Sequence, residues 1–338
     1  MSKETIISKE HMRSFLNFLK KENKLVGPVD TGKVIEFREL NAEDILMDDR
    51  VSYKSLKEYY FPQTELMFTF KESEAKDNTN IPGYVIFGAR PCDLEALRVM
   101  GIVYTTGKYA DSFFQRRFDK NLLIAIGCKN EKPECFCNEM GVDREFSDFC
   151  DIMLVESDDS YIIKHLSEKG IKALESFKMP ESQLSHPKLS SCHTEFTKSL
   201  TPDTPITLHT GKDDTAYFDI IDWEKATETC KGCGICTYIC PTCYCFDFKD
   251  VSKKDEAQRY KCWDSCMYPK FTLHASGHNP RENRHERYRQ RVLHKYKYVP
   301  ENFDGHVACT GCGRCIRSCP VGINIKNIVN KIKKAEND

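Results

Sequence analysis

Apolar and polar positions along the chain predict a mixed set of elements. Residues 8–23 place Met12, Phe15, Leu16, Phe18 and Leu19 at close to helical spacing, which predicts an amphipathic N-terminal helix. Residues 33–38 alternate as a half-buried strand does. Residues 83–88 and 122–127 are apolar runs closed by glycine, read as buried strands, and 93–100 between them reads as a helix. Together they form a strand–helix–strand unit of the α/β kind. An apolar run at 151–156, with an acid at each end, predicts an edge strand, and 159–177 a further strand and helix. Residues 178–215 are rich in Ser, Thr, Pro and Asp and read as a loop-rich linker. Near the end, Ile323, Ile325, Ile328, Val329 and Ile332 predict a closing helix.

Cysteine changes this picture. Eighteen of the 338 residues are cysteine, and eight of them fall in two runs. The first is Cys230-x2-Cys233-x2-Cys236-x3-Cys240-Pro241; the second is Cys309-x2-Cys312-x2-Cys315-x3-Cys319-Pro320. Bacterial ferredoxins use this run to hold [4Fe–4S] clusters. Three thiolates two residues apart wrap three corners of one cube, while the fourth opens the next helix and serves the other cube. One cube then takes Cys230, Cys233, Cys236 and Cys319, and the other Cys309, Cys312, Cys315 and Cys240. Zinc is the competing reading, but it needs ligands in two pairs and leaves the third cysteine of each run surplus.

Composition narrows the setting. The chain is 40% hydrophobic and 30% charged, with a net charge of −1, which suits two or three ordinary cores and gives no global nucleic-acid signal. A disulfide scaffold would belong to a short secreted chain, yet Lys3, Glu4, Lys9, Glu10 and Arg13 break up any apolar leader. No apolar run approaches the roughly 18 residues of a membrane span. The expectation is a cytoplasmic protein, and exposed clusters would suit an anaerobic setting.

Other cysteines remain. Cys92 and Cys128 follow the two central predicted strands, at one edge of a parallel sheet, where open α/β sheets carry their sites. With Cys135 and Cys137 they are candidates for a third [4Fe–4S] cluster, Asp93 being an alternative oxygen ligand; the competing reading is four small buried hydrophobes. Cys243, Cys245, Cys262 and Cys266 surround the first run, either as neighbours that tune its cube or as a further cluster of unusual spacing. Cys150 and Cys192 read as structural. The stretch 281–298 is strongly basic and reads first as a solvated face, then as a cluster or partner contact, and last as a nucleic-acid surface. Nucleotide-binding glycine loops, paired-histidine metal motifs and a nucleophile elbow are all missing.

Several motifs occur in order: Gly88-Ala89-Arg90-Pro91-Cys92-Asp93; Cys128, then Cys135-Phe136-Cys137; and Cys240-Pro241-Thr242-Cys243-Tyr244-Cys245. Trp263-Asp264-Ser265-Cys266-Met267, Arg291-Val292-Leu293-His294-Lys295 and Cys309-Thr310-Gly311-Cys312-Gly313-Arg314-Cys315 complete the set. From about residue 60 to about 330 the chain resembles a family of iron–sulfur subunits found in anaerobic sulfite reductases and, as the beta subunit, in cytoplasmic sulfhydrogenases. The resemblance implies a non-catalytic electron-transfer component of an oxidoreductase complex. Its implied partners are a flavin-containing NAD(P)H oxidoreductase subunit and a catalytic subunit of sirohaem sulfite reductase, nickel–iron hydrogenase or heterodisulfide-reductase type.

The expected fold class is α+β. A mixed α/β domain spans 1–215, and a two-[4Fe–4S] ferredoxin-like, mainly helical domain spans 216–338 with an insertion at 246–305. Two functions from other classes compete with the electron relay: a cluster-stabilised nucleic-acid-binding module, and a reductase with its own open-coordination cluster in the N-terminal domain.

Overall fold

The structure is a computed structural model that describes residues 5–48, 50–72, 74–78, 81–129, 132–177, 206–208 and 213–337. Most of the linker read at 178–215, with Cys192, lies outside the described residues. The strands in chain order are β1 (Thr5–Ser8), β2 (Lys24–Asp30), β3 (Ile35–Glu39), β4 (Thr64–Lys71), β5 (Glu74–Asp77) and β6 (Tyr84–Ala89). They continue with β7 (Leu122–Ile126), β8 (Ile152–Ser157), β9 (Ser160–Leu166), β10 (Phe246–Lys253) and β11 (Glu256–Trp263).

One seven-stranded sheet has the order β1-β9-β8-β7-β6-β2-β3. Its centre, β2-β6-β7-β8, is parallel, and β3, β9 and β1 flank it antiparallel. β7 is buried at every position, as a central parallel strand with both faces covered must be. The helix Lys9–Leu19, capped by Ser8, packs Met12, Phe15, Leu16 and Leu19 onto one face. The crossover helix Pro91–Thr105 covers the other with Leu94, Leu97 and Met100. β8 corrects one expectation. It lies inside the sheet, because β9 turns back on it and β1 extends beyond β9.

A second sheet, β10-β11-β4-β5, takes its strands from both ends of the chain. The insertion forms the β10–β11 hairpin, and β11 pairs antiparallel with β4. Buried Lys261 of β11 meets buried Glu65 of β4 at 3.0 Å, and Arg117 closes on the same carboxylate. The two halves therefore share a sheet. The closing helix, Ile325–Asn337, buries Ile325, Ile328, Val329 and Ile332 in a core that also contains Cys92, Cys137, Cys230 and Cys312. No helix among the described residues is long and apolar enough to cross a membrane.

Candidate metal centres

Each cysteine run folds as an open loop leading into one helical turn, Ile235–Tyr238 in the first and Arg314–Arg317 in the second. Cys230, Cys233 and Cys236 line a hollow together with Cys319, and Met267, Tyr288 and Arg291 form part of its wall. Cys309, Cys312 and Cys315 line a second hollow with Cys240, walled also by Phe136, Thr242 and Lys295. Each hollow thus combines three cysteines of one run with the fourth of the other. Cys315 and Arg291 border both. Among the described residues no three His, Cys, Asp or Glu converge as ligands of a single ion would. The thiols ring spaces instead, which suits a body larger than one atom.

Charge agrees with that chemistry. A cube held by four thiolates is an anion, and the walls supply buried cations. Arg291 is 2% exposed; its Nη2 donates to the Cys236 carbonyl at 3.1 Å, and among the described residues its Nε and Nη1 have no hydrogen-bond partner. Lys295, also buried, donates to Thr242 Oγ1 at 2.9 Å and to the Ala308 carbonyl at 3.0 Å. Burial opposes charge on Lys295, but the Cys240 and Cys243 thiolates outweigh it and hold the pKa above the ordinary value. Among the described residues neither cation has a carboxylate partner, and Thr310 Oγ1 in the second hollow is buried without a hydrogen-bond partner. An unpaired buried cation is strongly unfavourable, so these orphaned groups fit an anion in the hollows. Backbone amides add to this: Gly232 donates to Cys230 Sγ at 3.4 Å and Ile323 to Cys319 Sγ at 3.3 Å.

The basic stretch is therefore not the solvated face expected first. Its helix, Arg284–Leu293, continues through a π turn to Tyr298 and buries Arg287, Arg291, Lys295 and Lys297. Arg287, Arg291 and Lys295 are four residues apart and share a face. Arg287 caps the Met267 and Arg281 carbonyls, while the other two reach the hollows. Counting net charge hid this. The i, i+4 register shows it.

In the N-terminal half, Cys92 lies in the first turn after β6, and its thiol contacts that of Cys137, which in turn contacts Cys135. Cys135 Sγ donates to the Cys312 carbonyl at 3.6 Å, so this set adjoins the second hollow. Cys128 follows β7, the neighbour of β6, and its amide donates to the Arg144 carbonyl. Asp93, the alternative ligand, is engaged elsewhere. Arg314 of the second run takes both its carboxylate oxygens, at 2.6 and 3.0 Å, with both residues buried. Cys150 is half-buried and donates to the Ser147 carbonyl at 3.6 Å, as a structural thiol does.

The loop carrying Cys135 and Cys137 docks directly on the second run. Phe136 N–H donates to the Gly311 carbonyl at 2.8 Å. A Cβ on Gly311 would lie 2.4 Å from the Phe136 carbonyl oxygen, and one on Gly313 2.5 Å from that of Glu134. Both glycines have positive φ, +63° and +68°, so glycine here serves conformation and close approach together.

Comparison with known proteins agrees with this geometry. Residues 229–323 match the 4Fe-4S dicluster domain family. The chain is 29% identical over 334 residues to sulfhydrogenase 2 subunit beta of Pyrococcus furiosus, an alignment covering 96% of this chain and 97% of that protein. No solved structure matches. The chain thus contains a 4Fe-4S dicluster domain, and along nearly its whole length it is a homologue of a sulfhydrogenase beta subunit.

Proposed function

We propose that the chain is an electron-transfer subunit that relays electrons between a flavin-containing, NAD(P)H-linked partner and a catalytic subunit of hydrogenase or sulfite reductase type. The observation that carries this reading is the pair of cysteine-lined hollows sharing Arg291 and Cys315 as a common wall. Clusters bound there would supply one-electron redox chemistry, while the protein supplies spacing, burial and charge. In this reading Cys230, Cys233, Cys236 and Cys319 hold one [4Fe–4S] cube, and Cys309, Cys312, Cys315 and Cys240 the other. Cys92, Cys128, Cys135 and Cys137 hold a third, with Asp93 as a strut. Cys233 is exposed, which makes the first hollow the point of exchange with a partner. The similarity to a sulfhydrogenase subunit favours hydrogenase chemistry in the partner. No catalytic residue is assigned to this chain, and its site is the cytoplasm. The nucleic-acid alternative loses its support, because the central cations of the basic stretch point inward.

Anaerobic isolation with iron and sulfide analysis tests the relay. The expected result is at least about twelve irons per chain, eight of them from the two runs. Cys236→Ala is expected to remove about four. Zinc in place of iron, or iron unchanged in that variant, would overturn the assignment.

A second expected result concerns charge. Arg291→Met removes a buried cation bordering both hollows, so reduction, which adds negative charge, becomes harder at each. A unit charge about 6 Å away at an effective dielectric near 20 is worth about 3 kcal/mol. Both midpoint potentials should therefore fall by about 130 mV, while Arg291→Lys largely restores them. Redox titration followed by electron paramagnetic resonance reads this; unchanged potentials would remove Arg291 from the electrostatics of the sites.

A further inference from the structure

Of the six cysteines that belong neither to the runs nor to the N-terminal set, four lie in or beside one hairpin. Cys243 and Cys245 lie just before β10, Cys262 within β11 and Cys266 in the turn that follows. In the hairpin Cys262 stands opposite Asp247. The Asp264 amide donates to the Cys245 carbonyl at 2.9 Å, so the ladder continues past its last paired strand residues. Cys245 and Cys262 therefore project from one face as diagonal neighbours, about 7 Å apart by sheet geometry. The Cys266 thiol contacts that of Cys245 and lies within electrostatic reach of Cys243. Sequence spacing conceals this grouping, because C-x-C and C-x3-C match no ferredoxin loop and only the hairpin register joins them.

A second observation points to an anion beside Cys243 and Cys245. Lys57 is 3% exposed. Its Nζ donates to the Cys243 carbonyl at 3.0 Å and the Thr237 carbonyl at 3.4 Å, and stands 4.0 Å from the centre of the Trp263 ring. Among the described residues no carboxylate pairs with it. Its acidic neighbours are the thiols of Cys243, Cys240 and Cys245. Neutral thiols compensate an ammonium poorly, whereas a thiolate-bound iron–sulfur group would do so well.

We propose that Cys243, Cys245, Cys262 and Cys266 hold a further iron–sulfur cube, with Lys57 as its buried counter-charge. The site extends the relay reading and rests on it. Cys243 touches Cys240 of the second hollow, and Cys92 lies within electrostatic reach of Cys312 of that same hollow. The second hollow then adjoins three others, and the relay branches there, one arm ending at the β10–β11 hairpin.

Anaerobic native mass spectrometry of the full chain, with iron and sulfide analysis, counts cubes directly. The double variant Cys245→Ser/Cys266→Ser is expected to lose one cube, about four irons, and to keep those of both runs. An unchanged cube count, or zinc at the site, overturns the proposal. Cys236→Ala, measured in parallel, separates this result from failure of the relay itself. If that variant also keeps all its iron, the relay reading falls; if it loses a cube and the double variant does not, only the new site falls. Should the double variant not fold, the unaltered chain decides together with Cys92→Ser. Four cubes in the former support the site. Three, falling to two in Cys92→Ser, overturn it, and three that persist in Cys92→Ser support it. Two cubes or fewer overturn it outright.

Discussion

Asp93→Ala is expected to destabilise the fold by about 3–5 kcal/mol, because it strands a fully buried guanidinium. Arg314 has no exposed surface; besides Asp93 it holds the Ser52 carbonyl at 3.1 Å and the Ser52 hydroxyl at 3.4 Å. These contacts join the second cysteine run to the first turn after β6, so the pair is a tie between the two halves. Chemical denaturation of the anaerobic protein measures the loss. The double variant Asp93→Ala/Arg314→Met removes both charges, and its stability should recover most of the deficit, as replacing a buried pair by an apolar side chain often does. Iron content of this double variant separates strut from ligand. Retained iron fits a strut, whereas a loss of about four irons with stability restored would make Asp93 a ligand and sink the present account.

How much of the molecule is legible in its sequence depends on how local each signal is. The cysteine runs carry their signal in a fixed spacing, so both candidate ligand sets can be written from the sequence, and the cysteines of each set line one hollow. Strands β6 and β7 are equally plain, being continuous apolar runs with a helix between them. The β10–β11 hairpin is not legible in this way, although Phe246, Phe248 and Val251 are apolar, because its pairing partner β4 lies far away in sequence. Lys57, Arg291 and Lys295 are obscured for a different reason. Basic residues are ordinarily solvated, and only an anion elsewhere in the fold makes their burial sensible. Asp93 reads as a ligand beside its neighbour Cys92, since nothing local announces Arg314 more than two hundred positions away.

Gly311→Ala is expected to cost about 3 kcal/mol and to separate the N-terminal cysteine loop from the second run. The left-handed backbone at φ +63° accounts for about 1–2 kcal/mol of this in any non-glycine residue. The rest is steric, and it cannot be relieved by turning a side chain. The new Cβ would stand 2.4 Å from the Phe136 oxygen, 2.5 Å from its carbonyl carbon and 2.6 Å from the Cys137 nitrogen, all of them backbone. The loop must withdraw, which also gives up the Phe136–Gly311 hydrogen bond, worth about 1 kcal/mol. Gly322→Ala is the matched control. Gly322 has nearly the same φ, +69°, but open space where its Cβ would go, so only the conformational cost applies there. Denaturation midpoints of the two variants should therefore differ, with Gly311→Ala the lower. Withdrawal would also lengthen the path between the Cys92 set and the second hollow. If the Cys92 set holds the third cube proposed above, magnetic coupling between it and the cube of the second hollow should weaken in Gly311→Ala and persist in Gly322→Ala. Equal stabilities and equal coupling in the two variants would mean that the loop does not dock on the second run as described, and that these two sites are not joined through it.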